Sequence, residues 1–395
     1  VTPPARQDPG LADADELGEV SDAARRTGRI ALDTEFMGEG RYRTLLCLVQ
    51  VAVPDTGSSR TALLDPLSDS FDGAPLAAVL GDPAIEVVVH AGRQDIALIR
   101  RCLGTEVRNV FDTQVAAGFA GLPAQASYDS LLSEVLRLRV AKSASYTRWD
   151  ARPLSAEQAA YAREDVEHLL DLAAELQRRL QAQGRLGWAR QECEILEQSS
   201  DERDLDAIYA RLPRIRGLRT ESQAVARELV EWRERTAASQ NRPVQSVLGD
   251  AALVEVAKRR PSSMRDLEQI RGVNQGSLRR RGDELLAAVA RGRSRAPVAL
   301  AEDRRPPPPD TDDAPLIALT ESLVRGRARE AGLAYELVAA RADLQAIVTG
   351  WRHDYEPAVR TLQGWRRELV GAELIDLLAG QVSLSVDDGR LRVTR

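Results

Sequence analysis

Asp33 and Glu35 stand two apart in RIALDTEF, a run that reads as a strand. Side chains two apart on a strand point to the same face. Two carboxylates held there in a partly buried site repel, raise each other's pKa and destabilise the fold unless a divalent cation resolves the conflict. A merely polar strand end accounts for the pair as well. Asp95 closes VVVHAGRQD at the start of a helix; it is either a further acid of the same site or a first-turn aspartate that complements the helix dipole. Tyr161 and Asp165 lie four apart in LSAEQAAYAREDVEHLL, where Ser155 and Gln158 form a capping-box pattern. Residues four apart on a helix share a face, with Cβ atoms about 5–6 Å apart. One face therefore presents a phenol and a carboxylate together, unless Tyr161 is core and Asp165 is surface.

The elements that must position these residues follow from hydrophobic periodicity. A short helix is expected near Ala12 to Thr27. Strands are expected at Arg29 to Phe36, Thr44 to Val53 and Thr61 to Leu64, as a three-stranded antiparallel meander. Alternation follows: helix Leu76 to Leu80, strand Glu86 to His90, helix Gln94 to Leu103, strand Asn109 to Phe111, then helices from Thr113 to Gln183. Strands first and a β-α-β-α passage after them predict a mixed sheet covered by helices. From Ser199 onward the pattern is helical, with Ser262 expected to cap a short helix ending at Ile270. RRPPPPDTDDAP marks a semi-rigid linker. The tail alternates around Asp-Asp-Gly and predicts a small hairpin.

Composition narrows the class. The 395 residues are 43% hydrophobic, which is enough for a sizeable core. No run approaches the 18 apolar residues of a membrane span. The N-terminal residues lack a basic patch followed by an apolar stretch, so they do not read as a secretory leader. Cys47, Cys102 and Cys193 have neither zinc-site nor disulfide spacing, and the expected setting is the reducing cytoplasm. The net charge is −6, yet Thr220 to Arg295 carries 15 Lys and Arg against 10 Asp and Glu. Such a local basic surplus suits a nucleic-acid partner, and also an ordinary solvated face.

In order and spacing, D-x-E, then D, then Y-x-x-x-D resembles the DEDD exonuclease superfamily. Ala160 stands five before Asp165, so the resemblance is to the tyrosine subclass. LDTEF, VVVHAGRQD, FDTQVAAGF, SYDSLLSEVL, RPLSAEQAAYAREDV and GRLGWARQEC are similar to the ribonuclease D family. This resemblance implies an α/β exonuclease domain, an RNase H-like mixed β-sheet flanked by helices. It implies 3′→5′ hydrolysis of RNA to nucleoside 5′-monophosphates with two divalent ions, Mg²⁺ or Mn²⁺. Oxygen ligands suit these ions, and such a pair can clamp an in-line displacement at phosphorus. Asp33, Glu35 and Asp165 would hold the ion near the attacking water. Asp33 would bridge to the second ion, supported by Asp95, and Tyr161 would position the water. Thr34 and Phe36 fall where such enzymes touch the terminal nucleotide. His90 is either structural or substrate-facing, and Lys142 either a phosphate contact or a surface lysine. Arg137 and Ala141 depart from the family, standing where many members carry Gly and Asp.

The segment around Trp232-Arg233, Asn241-Arg242-Pro243, Asp250, Ala257 to Pro261, Gly272 and Gly282 resembles the helicase-and-RNase-D C-terminal (HRDC) domain. Lys258, Arg259, Arg260, Arg279, Arg280 and Arg281 would form its nucleic-acid footprint, or else a solvated face of a packing module. The resulting expectation is a disordered tail (1–14), an exonuclease domain (15–198), a connector (199–219), an all-α HRDC domain (220–295), a Pro-rich linker (296–315) and a C-terminal helical domain (316–395), in part analogous to HRDC. The expected partner is RNA with a free 3′ end, tRNA precursors among them, and not a membrane. The alternatives are a DNA-directed 3′→5′ exonuclease and a catalytically weak RNA-binding protein of the same fold.

Overall fold

The computed structural model describes residues 10–139, 148–273, 275–296 and 312–395. The chain divides into two compact units. One comprises the chain up to Glu35, Leu46–Ser200 and the part following the proline-rich stretch. The other comprises Phe36–Leu45 and the chain from Asp201 up to that stretch.

The first unit opens with α1 (Ala14–Thr27), capped by the Asp13 side chain and closed by left-handed Gly28. Then come β1 (Arg29–Met37), β2 (Leu45–Asp55), β3 (Ser58–Leu64), α2 (Ala74–Leu80), β4 (Glu86–Val89), α3 (Arg93–Leu103) and β5 (Val110–Asp112). The sheet order is β3-β2-β1-β4-β5. β2 and β3 are antiparallel, with Val49 opposite Leu64. β1, β4 and β5 run parallel, with Ile30 opposite Val87 and Val88 opposite Phe111. The parallel strands are apolar on both faces because helices cover both.

Strand alternation assigns the faces. Ile30 and Leu32 pack with α1, α2 and α3. Ala31 faces the other core, built from α4 (Thr113–Phe119), α5 (Tyr128–Leu131), α6 (Ala156–Glu167), α7 (Leu169–Ala182) and α8 (Leu186–Leu196). By the same period, Asp33 and Glu35 belong to the α6–α7 side and Thr34 to the α3 side. A π-helical turn, Leu132–Leu136, follows α5 and ends at Arg137 in the left-handed conformation (φ 62°). Glycine is relaxed there and arginine is not.

In the second unit, α9 (Leu205–Ala210) leads to the 20-residue α10 (Thr220–Ser239), around which α11 (Val244–Val247), α12 (Asp250–Arg259), α13 (Met264–Glu268) and α14 (Gln275–Ser294) pack. Arg233 is buried on α10, pairs with Asp250 at 2.6 Å and donates to the Leu248 carbonyl at 3.1 Å. A buried cation persists only when partnered in this way, which gives the Arg233–Asp250 combination a packing purpose. Gly292 lets α14 approach α10: a Cβ there would stand 2.6 Å from Val225 Cα. The cap of α13 differs from expectation. Ser263, not Ser262, accepts from the Asp266 amide, and the Asp266 carboxylate returns the bond, with Ser262 donating to it as well. Adjacent serines read alike in sequence, and the chain's entry angle selects one.

The C-terminal elements belong by packing to the first unit: α15 (Asp313–Glu330), α16 (Tyr335–Val338), α17 (Arg341–Arg352), α18 (Gly364–Arg366), α19 (Ala372–Leu378), and a hairpin of β6 (Ser383–Asp387) and β7 (Arg390–Thr394). α15 begins inside the expected linker, because Pro315 falls in the first helical turn where its missing N–H is harmless. Trp365 stacks on Trp188 at 5.3 Å and meets the edge of Phe119 at 4.9 Å. Arg366 forks onto Glu192 at 2.5 and 2.7 Å. The hairpin turns through Asp388 and Gly389, both at positive φ, as expected of a two-residue Asp-Gly loop.

Candidate active site

Asp33 and Glu35 leave β1 toward α6, whose start is fixed by the expected capping box. Gln158 N–H donates to Ser155 Oγ at 3.1 Å, and Ser155 N–H to Gln158 Oε1 at 3.0 Å. Two turns on, the Tyr161 hydroxyl donates to the Asp165 carboxylate. Asp95 lies in the first turn of α3, buried, and accepts from Thr34 Oγ1 at 2.5 Å. Thr34 thus reaches through the sheet's other face to hold the fourth acid beside the first two.

The electrostatics record the convergence. Asp33 is pushed well above the usual carboxylate range by burial, then by the charges of Asp95, Asp165 and Glu35. Glu35 rises to about 8 through burial and the charges of Asp165 and Asp95. Asp165 rises to about 7, with burial opposed by the Tyr161 hydrogen bond. Asp95 is also raised by burial, against the Thr34 bond. Tyr161 is raised by burial and by the charges of Asp165, Glu35 and Asp33. Four acids and a phenol from β1, α3 and α6 therefore share one electrostatic neighbourhood. Among the described residues no three Asp, Glu, His or Cys side chains are grouped tightly enough to hold an ion in this arrangement; Asp95 is turned to Thr34 and Asp165 to Tyr161.

Several supports carry no signature in the sequence. Asp112 accepts from the amides of Ala91 and Gly92 at 3.1 and 2.9 Å, and from those of Gln114 and Val115. It thereby fixes the turn that launches α3 and aims Asp95. Arg152 uses all five guanidinium donors: Nε and Nη2 fork onto Asp65 at 2.8 and 2.6 Å, Nη2 also reaches Cys47 O, and Nη1 reaches Trp149 O and Ala151 O. This ties down the segment carrying Trp149, whose buried ring lies 6.0 Å from that of Tyr161. Tyr128 feels the charges of Asp165 and Asp33 and packs its ring 5.7 Å from His90.

The remaining expected residues are distributed as follows. His90 Nδ1 lies 2.9 Å from Thr113 Oγ1, which itself donates to Val89 O at 3.1 Å, so the ring nitrogen is the donor. Burial lowers its pKa. Phe36 is exposed at 39%. Lys142 lies outside the described residues. Lys258, Arg259, Arg279 and Arg280 are exposed, with Arg259 paired to Glu255 at 2.6 Å. Arg260 is half-buried, capping α12 at positive φ. Arg281 is only 8% exposed and packs against Gln240.

Residues 10–181 match the 3′-5′ exonuclease family and residues 222–289 the HRDC domain. Ribonuclease D of Gluconacetobacter diazotrophicus is 34% identical over 97% of this chain and 95% of its own length; that of Granulibacter bethesdensis is 33% identical over 97% and 95%. The chain belongs to the ribonuclease D family. Among solved structures, Escherichia coli RNase D, an exoribonuclease involved in structured RNA processing, superposes with a TM-score of 0.78 at 28% identity, covering 94% of this chain and 98% of that one. The mixed sheet with flanking helices, followed by a helical C-terminal region with an HRDC domain, matches the ribonuclease D architecture. The protein is a 3′→5′ exoribonuclease, metal-dependent and RNA-binding. Among the described residues no helix is long and apolar enough to cross a membrane.

Proposed function

We propose that Asp33, Glu35, Asp95 and Asp165 hold two divalent ions, Mg²⁺ or Mn²⁺, and that with Tyr161 they remove nucleotides from RNA 3′ ends, tRNA precursors included. The observation that carries this reading is the burial of four acids in one neighbourhood, each raised above its ordinary pKa, with Asp33 and Glu35 raised further by the charges of Asp95 and Asp165. The donor set fits hard cations, since every candidate ligand is a carboxylate oxygen. When bound, the ions supply the positive charge that activates the attacking water and stabilises the leaving 3′ oxygen. Tyr161 stays a neutral phenol at working pH, because burial and its acidic neighbours oppose ionisation. It orients the water by hydrogen bonding and does not remove its proton. Thr34 holds the Asp95 carboxylate through its hydroxyl, and the Arg152 fork keeps the ring wall behind Tyr161 in place. The three unclustered cysteines support a cytoplasmic setting.

The test compares 3′- and 5′-labelled RNA, with and without chelator. The 3′ label leaves first as a mononucleotide, and chelator stops the reaction. Asp33→Asn abolishes cleavage while folding and RNA binding persist; cleavage at the wild-type rate would overturn the assigned site. A tRNA precursor with extra 3′ nucleotides shortens in a one-nucleotide ladder, and its persistence at full length sinks the tRNA assignment.

A further inference from the structure

The second unit carries a groove that the carboxylate chemistry leaves unused. Three adjoining hollows lie along α10 and α14, and they join because Glu284 and Arg291 are each shared by two of them. Arg235, Arg242, Arg280, Arg281, Arg291 and Arg295 line the joined channel against only Glu228 and Glu284. Glu231, which also meets Arg295 at 2.9 Å, reduces the positive surplus from four to three. From Arg280 to Arg295 the channel follows α14 for about 22 Å at the helical rise of 1.5 Å per residue.

The arginines are held in place without being neutralised. Buried Glu228 faces Arg291 at 2.7 Å, Arg295 at 3.3 Å and Arg235 at 3.7 Å, three guanidinium groups around one carboxylate. Arg235 remains 68% exposed. Arg242 and Arg280 are exposed, and neither has a carboxylate partner among the described residues. A second observation lies mid-channel. Trp232 lines the wall, is only 6% exposed, and its indole N–H has no hydrogen-bond partner among the described residues. A buried unpaired donor costs about 1–3 kcal/mol, a cost relieved when an acceptor enters beside it.

We infer that this α10–α14 groove holds the phosphodiester backbone of the RNA strand, and that it outweighs the Lys258-Arg259-Arg260 corner as the footprint of the helical unit. The inference rests on the RNA-trimming function above and deepens it. Guanidinium forks match phosphate geometry, and a row of them binds a strand without reading its sequence. Arg259 at the other corner is committed to Glu255, and the Arg260 carbonyl to the Arg293 side chain.

The experiment uses the full chain with chelator present and follows fluorescence anisotropy of a labelled RNA oligonucleotide across a salt series. Replacing Arg235, Arg242 and Arg280 together by Gln weakens binding about ten-fold or more. It also flattens the log–log salt slope by about 2, at roughly 0.7 per lost phosphate contact. Trp232→Phe, which keeps the packing, weakens binding several-fold. Lys258→Gln with Arg259→Gln changes affinity less than two-fold. An unaltered salt slope in the triple variant overturns the inference, as does a larger effect at the Lys258 corner. Displacement of RNA from the wild type by polyglutamate at equal charge concentration also overturns it, since it marks the groove as a seat for an acidic protein. Hydrolysis of the p-nitrophenyl ester of thymidine 5′-monophosphate reads the carboxylate site alone. The triple variant keeps the wild-type rate, whereas retention of that activity by Asp33→Asn strikes at the catalytic reading and leaves the groove result standing.

Discussion

Removing divalent metal makes the exonuclease unit less stable as pH rises, the reverse of ordinary carboxylate behaviour. Glu35 moves from 4.5 to about 8 and Asp165 from 3.8 to about 7 on folding. A carboxyl whose folded pKa is raised binds more protons folded than unfolded. Its stabilising effect is whole below the unfolded pKa and is lost as pH rises through the folded one. The window therefore runs from pH 3.8, where Asp165 begins to titrate unfolded, to about 8, where Glu35 titrates folded. At about 1.36 kcal/mol per unit, the two shifts together approach about 9 kcal/mol. Both side chains are partly open to water and the Glu35 shift includes the Asp165 charge, so about 2–4 kcal/mol is the expected loss. For a unit of this size that lowers the melting temperature by about 5–10 °C between pH 5 and 8.5. Mg²⁺ restores it at pH 8.5, where the acids are ionised and repelling, and has little effect at pH 5, where protons already separate the charges. Differential scanning fluorimetry with chelator or Mg²⁺ measures this, and hydrogen exchange at β1 and α6 assigns the transition. Asp165→Asn flattens the profile. A chelated melting temperature that stays level or climbs from pH 5 to 8.5 refutes the reasoning, as does a Mg²⁺ shift of equal size at both ends.

Three further outcomes follow from named contacts. Arg152→Lys cannot reproduce the five-donor fork onto Asp65 and three carbonyls, so kcat falls about ten-fold while KM for RNA stays within two-fold, the signature of a misplaced Tyr161; unchanged kcat at full occupancy sinks the positioning argument. Trp365→Ala empties the contact among Trp188, Phe119 and the C-terminal helices and costs about 3–5 kcal/mol by urea denaturation of the full chain; a loss below about 1 kcal/mol would show that those helices are not part of the nuclease core. Arg137→Gly relieves a non-glycine residue at φ 62° and raises stability by about 0.5–1 kcal/mol, and an equal or lower denaturation midpoint contradicts this.

What the sequence made legible is local. The Asp33–Glu35 pair follows from a period of two, the Tyr161–Asp165 pair from a period near four, and the Ser155–Gln158 cap from a three-residue reciprocity. Each is decided by backbone geometry within one turn or one strand, so residue types at fixed offsets suffice. The contacts that hold these pieces against each other leave no such trace. Asp65 meets Arg152 across 87 residues, and Asp112 reaches back 20 and 21 residues to the turn before α3. Any carboxylate in a loop reads alike until the sheet closes. The same limit explains Arg281: three consecutive arginines look equivalent in RRR, but helical rotation buries the third against Gln240 and leaves the first two in solvent. It also explains the C-terminal helices, whose apolar stripes fit a separate bundle until Trp365 is seen between Trp188 and Phe119. The proposed acids stand out in sequence because carboxylates paired on one strand face are locally unfavourable. On the proposed two-ion reading, divalent cations complete the four carboxylates, and that requirement links β1, α3 and α6 where no single motif does.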